Sequence, residues 1–256
     1  MKKYFYSLSA VLIVIMIACG GSTGQIMPSG SPLSRSIVGV YEGATNTPQE
    51  VGIETSFLIE EDNSFSLVTE SGLQMTGNLT QVSNQQYNGM AVLSYADDIS
   101  LPMLSVNLSI TANSSGSLSA SFSGAATGSF NVTPSIQASA TSTTLDLSSL
   151  SGNFATSVRS ISTRRVTNWT LTSTGTFTGF DAVSTYSGTL TQPRANKNPF
   201  VINFTRTPTG ADVSLASFRG LLWFHPAQGT RPARFALASR HITTGQRGIA
   251  GVFAKQ

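Results

Sequence analysis

The stretch "TGNLTQ" (76–81) returns 111 positions later as "SGTLTQ" (187–192). Self-similarity at a fixed offset dictates architecture before any motif does, because each copy is one structural unit. The echo extends beyond the phrase. "GVY" at Gly39 pairs with "GNF" at Gly152, Phe57 with Trp169, Phe65 with Phe177 and Gln81 with Gln192, at offsets of 113, 112, 112 and 111. A drift that small is what loop insertions and deletions absorb, so the chain reads as two copies of one domain.

Each copy alternates short apolar-polar segments with turn clusters such as "EDNS", "NQQYNG" and "TANSSGS", the pattern of an all-β sandwich or barrel. The first copy predicts eight strands: 38–42, 56–60, 64–69, 74–81, 89–95, 103–110, 117–122 and 128–132. The second predicts nine: 152–156, 168–172, 176–180, 185–190, 200–206, 213–217, 220–224, 234–240 and 248–254. In "FVINFTR", Phe200, Ile202 and Phe204 share one face. Closure into a barrel removes exposed strand edges, which favours two small antiparallel barrels over two sandwiches, although a sandwich buries the same residues. Leu79 and Leu190, inside the repeated phrase, are expected core positions. No long segment carries a helical period.

The first 36 residues are of another kind. Lys2 and Lys3 precede an apolar run ending at Ala18, the form of a secretory signal over residues 1–18. That run is shorter than the roughly 20 residues a spanning helix needs. Met16-Ile17-Ala18-Cys19 resembles the lipobox of bacterial lipoproteins, with Met16 where Leu is usual. The resemblance implies that Cys19 becomes the lipidated first residue of the mature protein, bearing acyl chains such as palmitate. It also implies an outer-membrane destination, because Gly20 stands where an inner-membrane retention aspartate would. Residues 19–36 then form a tether. Cys19 is the only cysteine, so no internal disulfide or thiol nucleophile is available.

Charge is split along the chain. Between residues 37 and 133 stand nine carboxylates, Glu42, Glu50, Glu54, Glu60, Glu61, Asp62, Glu70, Asp97 and Asp98, and no Lys or Arg. Residues 134–150 read as a polar linker. Between 151 and 256 stand ten arginines and two lysines against Asp181 and Asp212. A single-sign field attracts partners of the opposite sign, and Arg suits two-point contact with carboxylate or phosphate. Two readings compete. The acidic and basic domains dock on one another, or the basic domain meets an external anionic partner such as an envelope polymer or an acidic protein face. Solubility without a specific partner is a third. No nucleic acid is expected.

Chemistry-bearing motifs are sparse. His225 and His241 are the only histidines, and neither stands beside a carboxylate in sequence. The one GxSxG match, "GGSTG" (20–24), falls in the tether rather than on a strand-to-helix turn. No HExxH or phosphate-loop pattern occurs. "EED" (60–62) lacks the alternating oxygen ligands of a calcium loop and reads as a turn. No catalytic residue, metal ligand or cofactor is assigned, and a non-enzymatic module is expected.

"LLWFHP" (221–226) is the most apolar short run after the leader. Consecutive apolar residues face both sides of a strand, so Trp223 is either core or an anchor for a partner. The candidate partner-binding set is Trp223 with Arg219, Arg231, Arg234 and Arg240. A small ligand inside a barrel, as in lipocalins, is the alternative to envelope interaction, with side chains filling the interior as the default.

"GTFTGFDAVSTYSGTLTQ" (175–192), followed by "NPFVINFTRT", is similar to a pattern in proteobacterial lipoproteins with compact β domains, which implies no specific activity. "GIAGVFAKQ" (248–256) resembles the closing strand of surface lipoprotein barrels of the transferrin-binding and factor-H-binding kind. That resemblance implies a surface-exposed barrel that captures a host protein. "ATGSFNV" (126–132) is a worn version of the same ending in the first copy.

Overall fold

The computed structural model describes residues 37–95, 102–135, 147–159, 164–192, 198–209, 215–245 and 247–256. Cys19, the leader, the tether, most of the linker, Asp97, Asp98, Arg194, Lys197 and Asp212 lie outside them.

Among the described residues, sixteen antiparallel strands form two closed barrels of eight, each an up-and-down meander in which sequential strands are neighbours. The first barrel comprises β1 (Gly39–Asn46), β2 (Ile53–Ile59), β3 (Ser64–Thr69), β4 (Leu73–Ser83), β5 (Gln86–Tyr95), β6 (Leu104–Ala112), β7 (Leu118–Gly124) and β8 (Gly128–Pro134). The second comprises β9 (Gly152–Arg159), β10 (Arg164–Leu171), β11 (Thr176–Phe180), β12 (Ser184–Thr191), β13 (Phe200–Pro208), β14 (Ala216–His225), β15 (Arg234–His241) and β16 (Arg247–Lys255). One helical turn, Leu147–Leu150, precedes β9 and buries Leu150 in the second barrel's core.

The repeated phrase lies on the fourth strand of each barrel. Leu79 and Leu190 point inward and are buried. The backbone N–H of Leu79 donates to the Asn63 carbonyl at 2.9 Å, and that of Leu190 to the Gly175 carbonyl at 2.7 Å. Asn63 and Gly175 occupy the same place in the hairpin between second and third strands, both with φ near the left-handed region, at 70° and 80°. Glycine or asparagine is what a three-residue hairpin with a left-handed closing residue requires. The phrase's glycines also match. A Cβ on Gly77 would lie 2.2 Å from the Met90 carbonyl oxygen, and one on Gly188 2.2 Å from that of Asn203. Each faces a phenylalanine across the strand pair, Phe65 and Phe177 respectively.

The interiors are filled by side chains, as an eight-stranded barrel permits. The first packs Tyr41, Phe57, Phe65 and Phe130 among Leu, Ile, Val and Met. The second is dominated by rings: Phe154, Trp169, Phe177, Tyr186, Phe200, Phe204, Phe218, Phe224, Phe235 and Phe253. Trp169 contacts four of them within 6 Å, between 4.9 and 5.7 Å between centroids, in the tilted, stacked and edge-on geometries that aromatic quadrupoles favour.

The structure corrects the strand count of the second copy. Residues 216–217 and the expected strand 220–224 belong to one continuous β14, and 213–214 lie outside the described residues. Gly220 lies within it at a close approach of β15, a Cβ there falling 2.1 Å from the Ala238 carbonyl oxygen. The "NQQYNG" cluster also turns over fewer residues than expected, because β5 begins at Gln86 and Tyr87 is buried in the core.

Candidate functional site: the seam between the barrels

Strands of both barrels carry outward-facing residues that are buried nonetheless, because the barrels pack against each other. On β14 and β15 the cross-strand pairs Arg219 with Arg240, Leu221 with Ala238, Trp223 with Ala236 and His225 with Arg234 form a ladder on one outer face. On the first barrel the facing surface comes from Val40 and Glu42 of β1, Glu54, Ser56 and Leu58 of β2, Ser66 and Val68 of β3, and Gln74 and Thr76 of β4. Strands buried on both faces read as continuous apolar runs. That explains "LLWF", whose Leu222 and Phe224 enter the barrel core while Leu221 and Trp223 enter the seam.

The middle of the seam is apolar. Val40, Leu58 and Val68 meet Trp223, Ala236, Ala238, Ala250 and Val252. The alanines matter because small side chains let one sheet approach the other and leave room for the indole. Trp223 is 0% exposed. Burying a side chain of that size contributes roughly 2–3 kcal/mol by area.

One end of the seam is ionic. Arg234 contacts Glu42 at 2.6 Å and also pairs with Glu54, while Arg231 reaches Glu54 at 2.7 Å and Glu42 at 3.4 Å. Arg234 is 6% exposed at the side chain and Arg231 49%. The first pairing is therefore shielded from solvent and salt, and the second is screened.

Within this end lies a buried polar chain that joins both barrels. The Trp223 indole Nε1–H donates to Ser56 Oγ at 2.6 Å, Ser56 Oγ lies 2.7 Å from His225 Nε2, and His225 Nδ1 lies 2.6 Å from Glu42 Oε1. The last contact is short but off the hydrogen-bond axis, so it is as much an electrostatic contact as a hydrogen bond. Burial pushes the His225 pKa down, against the opposing pull of Glu42, and the ring is neutral near neutrality. A neutral ring with its proton on Nδ1 accepts the Ser56 hydroxyl proton at Nε2. Burial alone would raise the Glu42 carboxyl, but the His225 contact and the Arg234 charge more than offset it and hold the pKa at about 2.

Serine, histidine and carboxylate in this order have the connectivity of an acyl-transfer nucleophile with its base and orienting acid. Their surroundings differ from what such chemistry needs. Ser56 is 2% exposed and its oxygen already accepts from Trp223, so it faces the indole and not a cleft. The arrangement acts as a lock that ties one barrel to the other through Trp223, Ser56, His225 and Glu42.

The far end of the seam carries arginines without carboxylates. Arg219 and Arg240 stand directly opposite each other on β14 and β15, and the register places Arg247 of β16 opposite Arg240. Arg240 donates to the Thr76 hydroxyl, and no carboxylate lies within salt-bridge distance of Arg219 or Arg240 among the described residues. Although the Arg240 side chain is exposed overall, desolvation lowers its pKa, with no neighbouring anion to offset it.

Of the five sequence candidates, Trp223, Arg231 and Arg234 engage the first barrel in the middle and at the ionic end. Arg240 touches it at the far end, and Arg219 lines the groove there. The acidic and basic domains thus dock. The sequence reading missed Glu42, Glu54 and Ser56 because it sought a carboxylate for His225 within the second domain. The signal was present in "IETSFLI" (53–59), where Phe57 and Ile59 face inward while Leu58 places an apolar side chain on the outer face. No family model, curated protein or solved structure matches this chain.

Proposed function

We propose that the protein is a non-enzymatic interaction module of the bacterial cell envelope, held at the outer membrane through lipid on Cys19, with its basic second barrel turned toward an anionic partner. The observation that carries this reading is the use made of the arginines. Docking neutralises Arg231 and Arg234 against Glu42 and Glu54, yet leaves Arg219 and Arg240 together without a carboxylate at the far end of the seam. A chain that needed its basic charge only for docking has no use for that pair. The lipobox resemblance supports the anchor, and the tether supplies reach from the membrane.

The test has two arms. Cys19→Ser should abolish radiolabelled palmitate incorporation and release the protein from the membrane fraction. Wild-type protein should bind anionic envelope material in a salt-dependent manner, and Arg219→Gln should weaken that binding without lowering thermal stability. Binding that ignores both the substitution and salt would count against the reading.

A second reading has a specific observation in its favour. A cavity of about 530 Å³ opens at the end of the first barrel, lined by Leu93, Tyr95, Leu104, Phe122 and Ala126 among others. Its size suits a small apolar ligand in the manner of a lipocalin. Displacement of an apolar fluorescent dye, abolished by Leu104→Trp, would support this alternative.

A further inference from the structure

The carboxylate-free end of the seam is a groove of about 420 Å³ shared by both barrels. The second barrel supplies Arg219 and Arg240, and the first supplies Ser66, Gln74 and Thr76. Two features of it call for a ligand, and a third fixes its geometry.

The first is the arginine pair. Like charges directly opposite on neighbouring strands destabilise a sheet. Here the cost is incurred on the outer face of the barrel, where polar neutral residues would serve solubility equally well. The second is Gln74. Its side chain is 3% exposed, it lines this groove, and its Oε1 has no hydrogen-bond partner. An unpaired buried carbonyl costs about 1–3 kcal/mol, so a donor is wanted there. The third is Thr76, the first residue of the repeated phrase, whose hydroxyl holds Arg240 across the seam and fixes one guanidinium in place.

From this geometry we infer that the groove is a binding site for a phosphomonoester carried on a hydroxyl-bearing molecule. Two guanidinium groups side by side match a group bearing nearly two negative charges, which a phosphomonoester has near neutral pH and a carboxylate or phosphodiester lacks. Their planar donors suit two-point contact with its oxygens. Rotation of the Gln74 amide toward the groove, from which Oε1 is otherwise shut off, lets a ligand hydroxyl beside the phosphate supply the donor it lacks, and the Ser66 and Thr76 hydroxyls complete a polar wall. The same chemistry occurs on a soluble sugar or glycerol phosphate and on a lipid headgroup. This inference rests on the proposed role of the basic face and gives that role a ligand class.

The test uses the full-length protein in detergent solution and four probes. Glycerol 3-phosphate and inorganic phosphate are titrated calorimetrically. Phosphatidylcholine vesicles containing either phosphatidic acid, a phosphomonoester, or phosphatidylglycerol, a phosphodiester, are tested by co-flotation. The expected result is that glycerol 3-phosphate binds more tightly than inorganic phosphate, and that Arg219→Gln weakens it at least tenfold. Gln74→Met should weaken glycerol 3-phosphate several-fold while leaving inorganic phosphate unchanged and the melting temperature equal or higher. Preference for phosphatidic acid vesicles over glycerol 3-phosphate identifies the headgroup as the source, and the converse identifies a soluble phosphate. Equal binding of the two vesicle types, insensitive to Arg219→Gln, overturns the site while leaving a generally basic contact face intact. Absence of binding to every anionic probe overturns both.

Discussion

At one end of the seam Arg231 and Arg234 meet Glu42 and Glu54; six residues along β14, about 20 Å at strand rise, Arg219 and Arg240 meet hydroxyls and an amide. The fold and the residue type are shared, and only the facing strands of the first barrel differ. At the first end β1 and β2 present carboxylates, and the arginines there are structural. At the second, β3 and β4 present Ser66, Gln74 and Thr76, and the arginines there are available to something else. The comparison teaches that charge totals for each domain conceal two separate uses of the same residue.

The comparison is broken most severely by removing what both ends depend on. Trp223→Ala leaves a large void between the barrels and deletes the donor to Ser56; a loss of about 4 kcal/mol is expected. Circular dichroism should still report β structure, because each barrel has its own core, while thermal melting should shift far down or split into two transitions.

Glu42→Gln attacks the ionic end alone. It removes the charge that compensates buried Arg234 and the partner of His225 Nδ1, and should cost about 3 kcal/mol, as uncompensated buried charges do. Denaturant unfolding measures it. The matched change at the other end, Arg219→Gln, should alter stability by less than about 0.5 kcal/mol or raise it slightly, since it relieves a like-charge pair. Similar losses at both ends would show that Arg219 is structural after all.

Acid should sharpen the contrast at a scale of about 2 kcal/mol. Glu42 has a folded pKa lowered to about 2, so its contribution is present above the unfolded carboxylate range near 4.5 and is lost as pH falls toward 2. His225 has a folded pKa below 6.5, so the unfolded chain binds the proton more readily, and stability falls as pH drops below 6.5. Both act in the same direction. Melting temperature against pH should decline from about 6.5 downward, and His225→Gln should remove the upper part of that decline while lowering stability at neutral pH. A flat profile in the wild type would mean that the buried chain carries no such linkage.

The scaffold itself offers a matched pair of changes. Gly77→Ala and Gly188→Ala each force a Cβ toward a neighbouring carbonyl and should each cost about 1–2 kcal/mol. Equal losses by thermal melting would establish that the repeated phrase has one structural job in both copies.

Much of the fold was legible because the repeat and the strand alternation are local properties of the sequence. Phe200, Ile202 and Phe204 read as one face and are one face, and the doubled phrase marks the fourth strand of each barrel. The seam was less legible. Val40, Leu58 and Val68 are single apolar residues on outer faces, and nothing local distinguishes an outer face that meets solvent from one that meets another barrel. "LLWFHP" signalled double-sided burial but not its partner. His225 looked isolated because its carboxylate is 183 residues away, on β1. The charge split signalled docking, yet only tertiary register shows which arginines docking uses.

The central claim is that the barrels dock through a seam whose middle is dry and apolar and whose ionic end is buried. Small-angle X-ray scattering of residues 37–256 at low salt and at about 1 M salt tests it most directly, because the Debye length at about 1 M falls to roughly 3 Å and exposed attraction disappears. The account predicts one compact two-barrel form with an unchanged radius of gyration at both salts, and an expanded form for Trp223→Ala. Separation of the wild-type barrels at high salt would contradict it.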